Sequence, residues 1–397
     1  TGVTKFHRWL VDAVRANMPY DRFVRGLLTA QGDTFTVPSA NYFRAAASVD
    51  DATETTARHF LGIRIQCAKC HNHPYERWTQ DNYYGIAAFF NRVQRSKQDK
   101  AGNVVVWVAR SGEVTQPRTG ARANPWLPLR GELKITDVEA DRRVALVDWM
   151  VQEDNPLFAR VEVNRLWSYL YGRGVIEPID DFRASNPPSN PALLDWLAGE
   201  FRRSGFDRRH IIRLVLSSRT YQLDSLSTKQ NSHDHQCFSH GLARRLSAEQ
   251  ILDAICQVSE VPQAFSGLPP GTRAGQLPSP EGSPGFLQIF GKPARETSCD
   301  CERQTSSTLS QHLLLVNGSL IADKIGHKQN RFRRLVAEGK NDHEIVEDLY
   351  LAAYCRLPNA TELQVAMDFI KRSAGREQGH EDIQWAVINS KEFLFQH

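Results

Sequence analysis

Methionine is scarce in this 397-residue sequence, which holds only Met18, Met150 and Met367. Long apolar runs are missing as well. None approaches the ~20 residues needed to cross a bilayer, so a helical membrane protein is not expected. Charge of one sign is not in excess: 49 basic and 45 acidic side chains mix along the chain to a net +4. With no basic stripe or arm, nucleic acid is not an expected partner. Thr1 opens the sequence without Met, a basic n-region or an apolar h-region, so we read the chain as mature, trimmed or a fragment. Cysteine is too sparse for a disulfide-stapled scaffold, and its odd count of seven means that at least one thiol has another role.

What is present is an ordinary globular composition, 41% hydrophobic and 24% charged, at a length that favours two parts. Helical spacing runs through residues 5–30 (Phe6, Trp9, Leu10, Ala13, Val14), broken at Pro19 into two helices. Ser48-Val49-Asp50-Asp51 suits a helix start, with Phe60, Leu61 and Ile63 as apolar anchors, and Tyr83 to Phe90 follows as a further segment. Between about Asp99 and Gly131 the pattern changes to one strand-like run, Val104 to Val108, amid Gly, Pro, Arg and Thr. Helical periodicity returns at Asp141–Val151, Leu157–Tyr171, Pro191–Ser204, His210–Ser218 and Ala248–Ser259, and again at Ser307–Val316, Ile345–Tyr354, Ala360–Arg372 and Asp382–Asn389. Residues 261–298 hold too many prolines and glycines for a regular element. The expected fold is mainly α, a two-part multi-helical protein with long irregular loops and at most a small β element. Its parts are residues 1–110, a linker 111–135, and residues 136–397.

One motif stands out. Cys67-Ala68-Lys69-Cys70-His71 matches the attachment signature of a c-type haem, in which two thiols on one turn reach two vinyl groups and the next residue offers an imidazole to the iron. Composition alone predicts about 0.004 occurrences of this pattern in such a chain. Zinc is the rival reading, because Cys67, Cys70, His71 and His73 are all acceptable ligand types. Four ligands within seven residues must then converge on one tetrahedron, whereas zinc sites usually separate two pairs by a loop; a split site would recruit Cys299 and Cys301. A thioredoxin-type redox pair lacks its βαβ surroundings. His71 is the axial candidate for haem iron. With so few methionines, a Met sixth ligand is unsupported, leaving His59, His73, another His or an open position.

Cys299-Asp300-Cys301-Glu302-Arg303 is the second unusual cluster, open to reading as a redox-active disulfide, as soft ligation of metal or haem, or as a structural pair with an Arg303 ion pair. Tyr171-Gly172-Arg173-Gly174 reads as a helix C-cap turn, and Asn186 to Pro191 as a stop followed by a helix start. His233, His235, His240 and Cys237 form a tract that is either a polar loop or a metal site. Asp180-Asp181 is an acid pair or solvated charge.

The stretch from His59 through the Cys67–His71 motif, His73-Pro74-Tyr75 and Trp78 to Gly85 resembles the planctomycete cytochrome-like (PSCyt) family. Asn155 to Arg160, Asn164 to Trp167, Gly172 to Gly174, Asp181-Phe182 and Ser218 to Tyr221 resemble the companion planctomycete-specific (PSD) domain. So do Arg244 to Leu246, Cys299 to Arg303 and Asn389 to Leu394. The resemblance implies a PSCyt-type part at 1–110, preceded in such proteins by a signal peptide and more of the same domain, and a PSD-type helical part at 136–397. Both families are of unknown function. Export is implied by the family setting and by haem chemistry, since c-type attachment is made outside the cytoplasm in bacteria.

The functional expectation is an exported, extracytoplasmic mono-haem c protein. It would transfer electrons or perform haem chemistry on an unidentified partner or substrate, and would be a haem-dependent oxidoreductase if an enzyme. Cys67 and Cys70 would bind the cofactor, His71 would ligate the iron, and His73, Cys299 and Cys301 would be neighbours. The alternatives are a structural zinc module on Cys67, Cys70 and His71, or an exported polymer-binding or polymer-degrading protein with an accessory haem.

Overall fold

A computed structural model gives the fold of the chain and describes every residue except 136, 138, 280–283, 295–302, 304, 305 and 397. It is mainly α, with β structure confined to sheets of two or three strands. By compactness the chain divides into Thr1–Leu242 and Ala243–His397.

The first unit carries α1 (Gly2–Arg15), α2 (Tyr20–Leu28), α3 (Tyr42–Ala45), α4 (Val49–Leu61), α5 (Gln80–Ala87), α6 (Arg142–Met150), α7 (Phe158–Tyr171), α8 (Pro191–Arg203) and α9 (Arg208–Leu216). The break at Pro19 falls where the periodicity predicts it. Ser48 caps α4 in a reciprocal box with Asp51, Asn190 caps α8 ahead of Pro191, and Gly172 closes α7 in the left-handed conformation. β1 (Gly32–Asp33), β2 (Val93–Arg95) and β3 (Val105–Val108) form an antiparallel sheet in the order β1-β3-β2. The stretch read as a linker, 111–135, supplies β4 (Val114–Thr115) with β5 (Arg122–Ala123) and β6 (Trp126–Leu127) with β7 (Gly131–Glu132). β4, β5 and β6 lie against α5. Glu113 fastens this stretch, bridging Arg92 (2.7 Å) and Arg142 (2.8 Å), two guanidiniums withdrawn from water.

α7 is the hub. It packs on α4, α8 and α9, and its buried residues include Phe158, Val161, Val163, Leu166 and Trp167 together with Glu162 and Asn164. Buried polar groups need partners. Asn164 uses both ends of its amide on Ile176, accepting from its N–H and donating to its carbonyl, each at 2.9 Å. That ties the chain following α7 onto the helix and leads it toward α4.

The second unit is built around α10 (Ala248–Ser259), whose buried face is Ile251, Leu252, Ile255 and Val258. Against it or beside it lie α11 (Gly285–Ile289), α12 (Leu309–Asn317), α13 (Ser319–Ile325), α14 (Arg331–Ala337), α15 (Asp342–Tyr354), α16 (Ala360–Arg372), α17 (Arg376–Ile388) and α18 (Lys391–Leu394). β8 (Arg244–Arg245) pairs antiparallel with β9 (Phe395–Gln396). Leu246 N–H donates to the Leu394 carbonyl at 2.9 Å, so two of the PSD-like segments meet although 148 positions separate those residues. The breaker-rich stretch 261–298 does contain regular structure: α11 forms directly after Pro284 because Phe286, Leu287 and Phe290 are buried there. α13 and α14, each one to two turns long, escape the periodicity argument for lack of length.

Candidate functional site: an exposed cysteine turn beside a charged cavity

α4 stops at Gly62, whose φ of +65° turns the chain out of the helix. Ile63 and Ile65 are buried and anchor the exit, and residues Gln66–Lys69 form a single 3-10 turn with Ala68 fully buried beneath it. Cys67 and Cys70 are left exposed on this turn with free thiols, and His71 follows, also exposed. The turn is braced from below. Gln80, itself buried, donates to the carbonyls of Lys69 (3.0 Å) and Cys70 (3.3 Å), and the Tyr84 hydroxyl donates to Lys69 O at 3.3 Å. Lys69 pairs with Asp50 at 2.8 Å, and this hydrogen bond holds its pKa above the usual lysine value. Asp50 and Glu54 both accept from the Tyr83 hydroxyl, whose pKa is driven up by burial and by Glu54.

The two histidines of the motif region differ in tautomer. His71 Nδ1 lies 2.8 Å from the Asn72 carbonyl, which can only accept, so Nδ1 carries the proton and the lone pair of the neutral ring is on Nε2. His73 Nδ1 instead accepts from the Tyr75 N–H at 3.2 Å, which places the proton of the neutral ring on Nε2. His71 therefore has the form that binds a metal through Nε2, while the neutral His73 ring carries its N–H donor at Nε2.

Next to the turn is a cavity of about 100 Å³, lined by Gly62, Ile63, Arg64, His73, Glu76, Trp78, Asp181, Phe182 and Arg183. The Phe182 N–H donates to Gly62 O at 2.8 Å and brings Asp180 to Arg183 against the segment after α4. Asp180-Asp181 is thus neither an acid pair working alone nor solvated charge; both are buried amid guanidiniums. Asp180 takes Arg64 Nε at 3.1 Å and Arg58 Nε at 3.7 Å, and Asp181 has Arg183 Nε at 3.2 Å and Arg64 Nη1 at 3.9 Å. Arg58, Arg64, Glu76, Trp78 and Arg183 were not singled out by sequence. Their only signal is that most lie in or beside the family-like stretches.

His59 sits in the last turn of α4, its carbonyl taking Arg165 Nη2 at 2.7 Å. Cys299 and Cys301 lie outside the described residues. Arg303 pairs with Glu249 at the start of α10 (2.8 Å). The 233–240 tract is a loop organised by Asp234, which accepts from the N–H groups of Gln236, Cys237 and Ser239. Hydrogen bonds, first from Ser239, hold its carboxyl far below the usual range. Among the described residues no three or more His, Cys, Asp or Glu side chains are arranged to hold a metal ion. No helix of the described residues is long and apolar enough to cross a membrane.

A mainly helical body presenting an exposed Cys-x-x-Cys-His turn next to a charged cavity defines the class. The chain belongs to the PSD1 family, described as a protein of unknown function (DUF1553), whose model matches residues 142–370. The model of PSCyt2, also a protein of unknown function (DUF1549), matches residues 1–95, so the cysteine turn falls in the PSCyt2 match and Asp180 to Arg183 in the PSD1 match. No curated protein and no solved structure matches the chain.

Proposed function

We propose that this chain is an extracytoplasmic mono-haem c protein, with thioether links at Cys67 and Cys70 and His71 as axial ligand. The observation that carries the reading is the His71 tautomer: Nδ1–H spent on the Asn72 carbonyl and Nε2 without a partner among the described residues, an arrangement that suits a metal-bound imidazole. The donor set fits. Both thiols are free and exposed, as attachment to two vinyl groups needs. Zinc would require Cys67, Cys70 and His71 to converge at about 2.0–2.3 Å on one point, and they are not so arranged among the described residues. Attachment to a porphyrin spreads the three bonds over rim and centre, which makes no such demand. The neighbouring cavity, at about 100 Å³, is too small to enclose a porphyrin.

Bound haem supplies one-electron exchange or chemistry at an open iron position. The chain's own contribution is positional. Gln80 and Tyr84 hold the carbonyls of the turn, Asn72 fixes the tautomer, and the Asn72 side chain accepts from Gln80 N–H at 3.1 Å so that the carbonyl stays in place.

Export of the chain in a bacterial host with c-type maturation tests the reading. A Soret band and a denatured mass increased by one haem are expected, the mass increase lost when Cys67→Ser and Cys70→Ser are combined. A haem-free mass with stoichiometric zinc would replace it by the structural-zinc reading.

A further inference from the structure

We infer that the cavity beside the cysteine turn binds a small carboxylate. Its volume of about 100 Å³ exceeds the roughly 10–15 Å³ that one water needs and falls below the roughly 300 Å³ of a drug-sized pocket, which suits an acid of few heavy atoms. Trp78 and Ile63 are buried and Phe182 half-buried, an apolar wall for a short alkyl group. The polar lining sets two guanidiniums and an imidazole against two carboxylates. Arg64 spends Nε and Nη2 on Asp180, and its Nη1 stands 3.9 Å from Asp181, beyond hydrogen-bond range. Arg183 approaches Asp181 with Nε at 3.2 Å, and its guanidinium makes no hydrogen bond among the described residues, its Nε being buried without a partner there. His73 adds an Nε2–H. Against these stand Asp181, near both guanidiniums but hydrogen-bonded to neither, and Glu76, which accepts from Ser185 Oγ at 3.3 Å. A planar guanidinium end with two free N–H groups matches a carboxylate edge bidentately. Glu76 is then the like charge that sets the strength of the site.

The inference does not rest on haem attachment, and a haem-free mass leaves its test intact. The full chain is titrated with propionate at fixed salt, reading line broadening of the propionate signals, with glucose and sulfate as comparison probes. Saturable propionate binding is expected. Arg183→Ala should weaken it tenfold or more, and Glu76→Gln should tighten it several-fold. Arg183→Lys keeps the charge but loses the fork, so it should also weaken binding, and it decides the matter if Arg183→Ala melts early. Absence of propionate binding, equal binding of glucose or sulfate, or a Glu76→Gln change in the same direction as Arg183→Ala would overturn the assignment.

Discussion

Gly62→Ala isolates the joint that builds the cavity. At φ +65° and ψ 23° the residue is left-handed, costing an L-residue about 1 kcal/mol or slightly more. The added Cβ would also stand 2.5 Å from Phe182 Cδ2 and 2.9 Å from Val161 Cγ2, contacts that force both side chains to move. Overpacking of this kind costs about 1–3 kcal/mol, while the stiffer unfolded chain returns about 0.4–1 kcal/mol. A net loss of about 2–4 kcal/mol is expected, or a melting temperature about 5–15 °C lower for a unit of this size. Because Phe182 is bonded through its N–H to Gly62 O, propionate binding should weaken in parallel. A double-mutant cycle with Phe182→Ala sharpens the test: removing the ring should relieve the crowding, so that Gly62→Ala costs about 1 kcal/mol less in that background. A loss below about 1 kcal/mol, or strict additivity with Phe182→Ala, would refute the close approach as the reason for glycine.

Glu113→Gln removes the shared partner of Arg92 and Arg142, whose side chains are 4% and 2% exposed, and should cost about 3–5 kcal/mol by denaturant titration. His380 is buried against Asp342 (2.9 Å) and stacked on Phe332. Burial, aided by Arg376, holds its pKa below the usual histidine value despite the pull of Asp342. The unfolded chain then takes a proton that the folded unit refuses. Stability is thus fully present above pH about 6.5 and falls as pH drops through the folded pKa. Amide exchange of α15 and α17 should accelerate between pH 7 and 5, after correction for intrinsic rates, and His380→Gln should flatten that dependence. In haem-free protein, maleimide labelling followed by peptide mass analysis should find Cys67, Cys70, Cys237 and Cys355 fast and Cys256 slow. The half-buried Cys256 thiol has its pKa raised chiefly by burial, and equal rates would contradict that placement.

The sequence by itself determined the helical elements with strong caps and long apolar faces, because capping and periodicity are local. Ser48 with Asp51, Asn190 with Pro191 and Gly172 act on residues no more than a turn or two away. It also determined the Cys67–His71 motif, since the chemistry of that motif lies in its spacing. Length was the limit for α13 and α14, and burial of Phe286 and Leu287 made a helix where prolines argued for none. Only the tertiary structure decided the rest of the site. Arg64 and Asp180 are 116 positions apart, and they meet because Asn164 carries the chain past Ile176 and Phe182 can approach a residue without a Cβ. The opposite tautomers of His71 and His73 were likewise beyond sequence, because each ring takes its proton arrangement from one backbone group that folding places beside it.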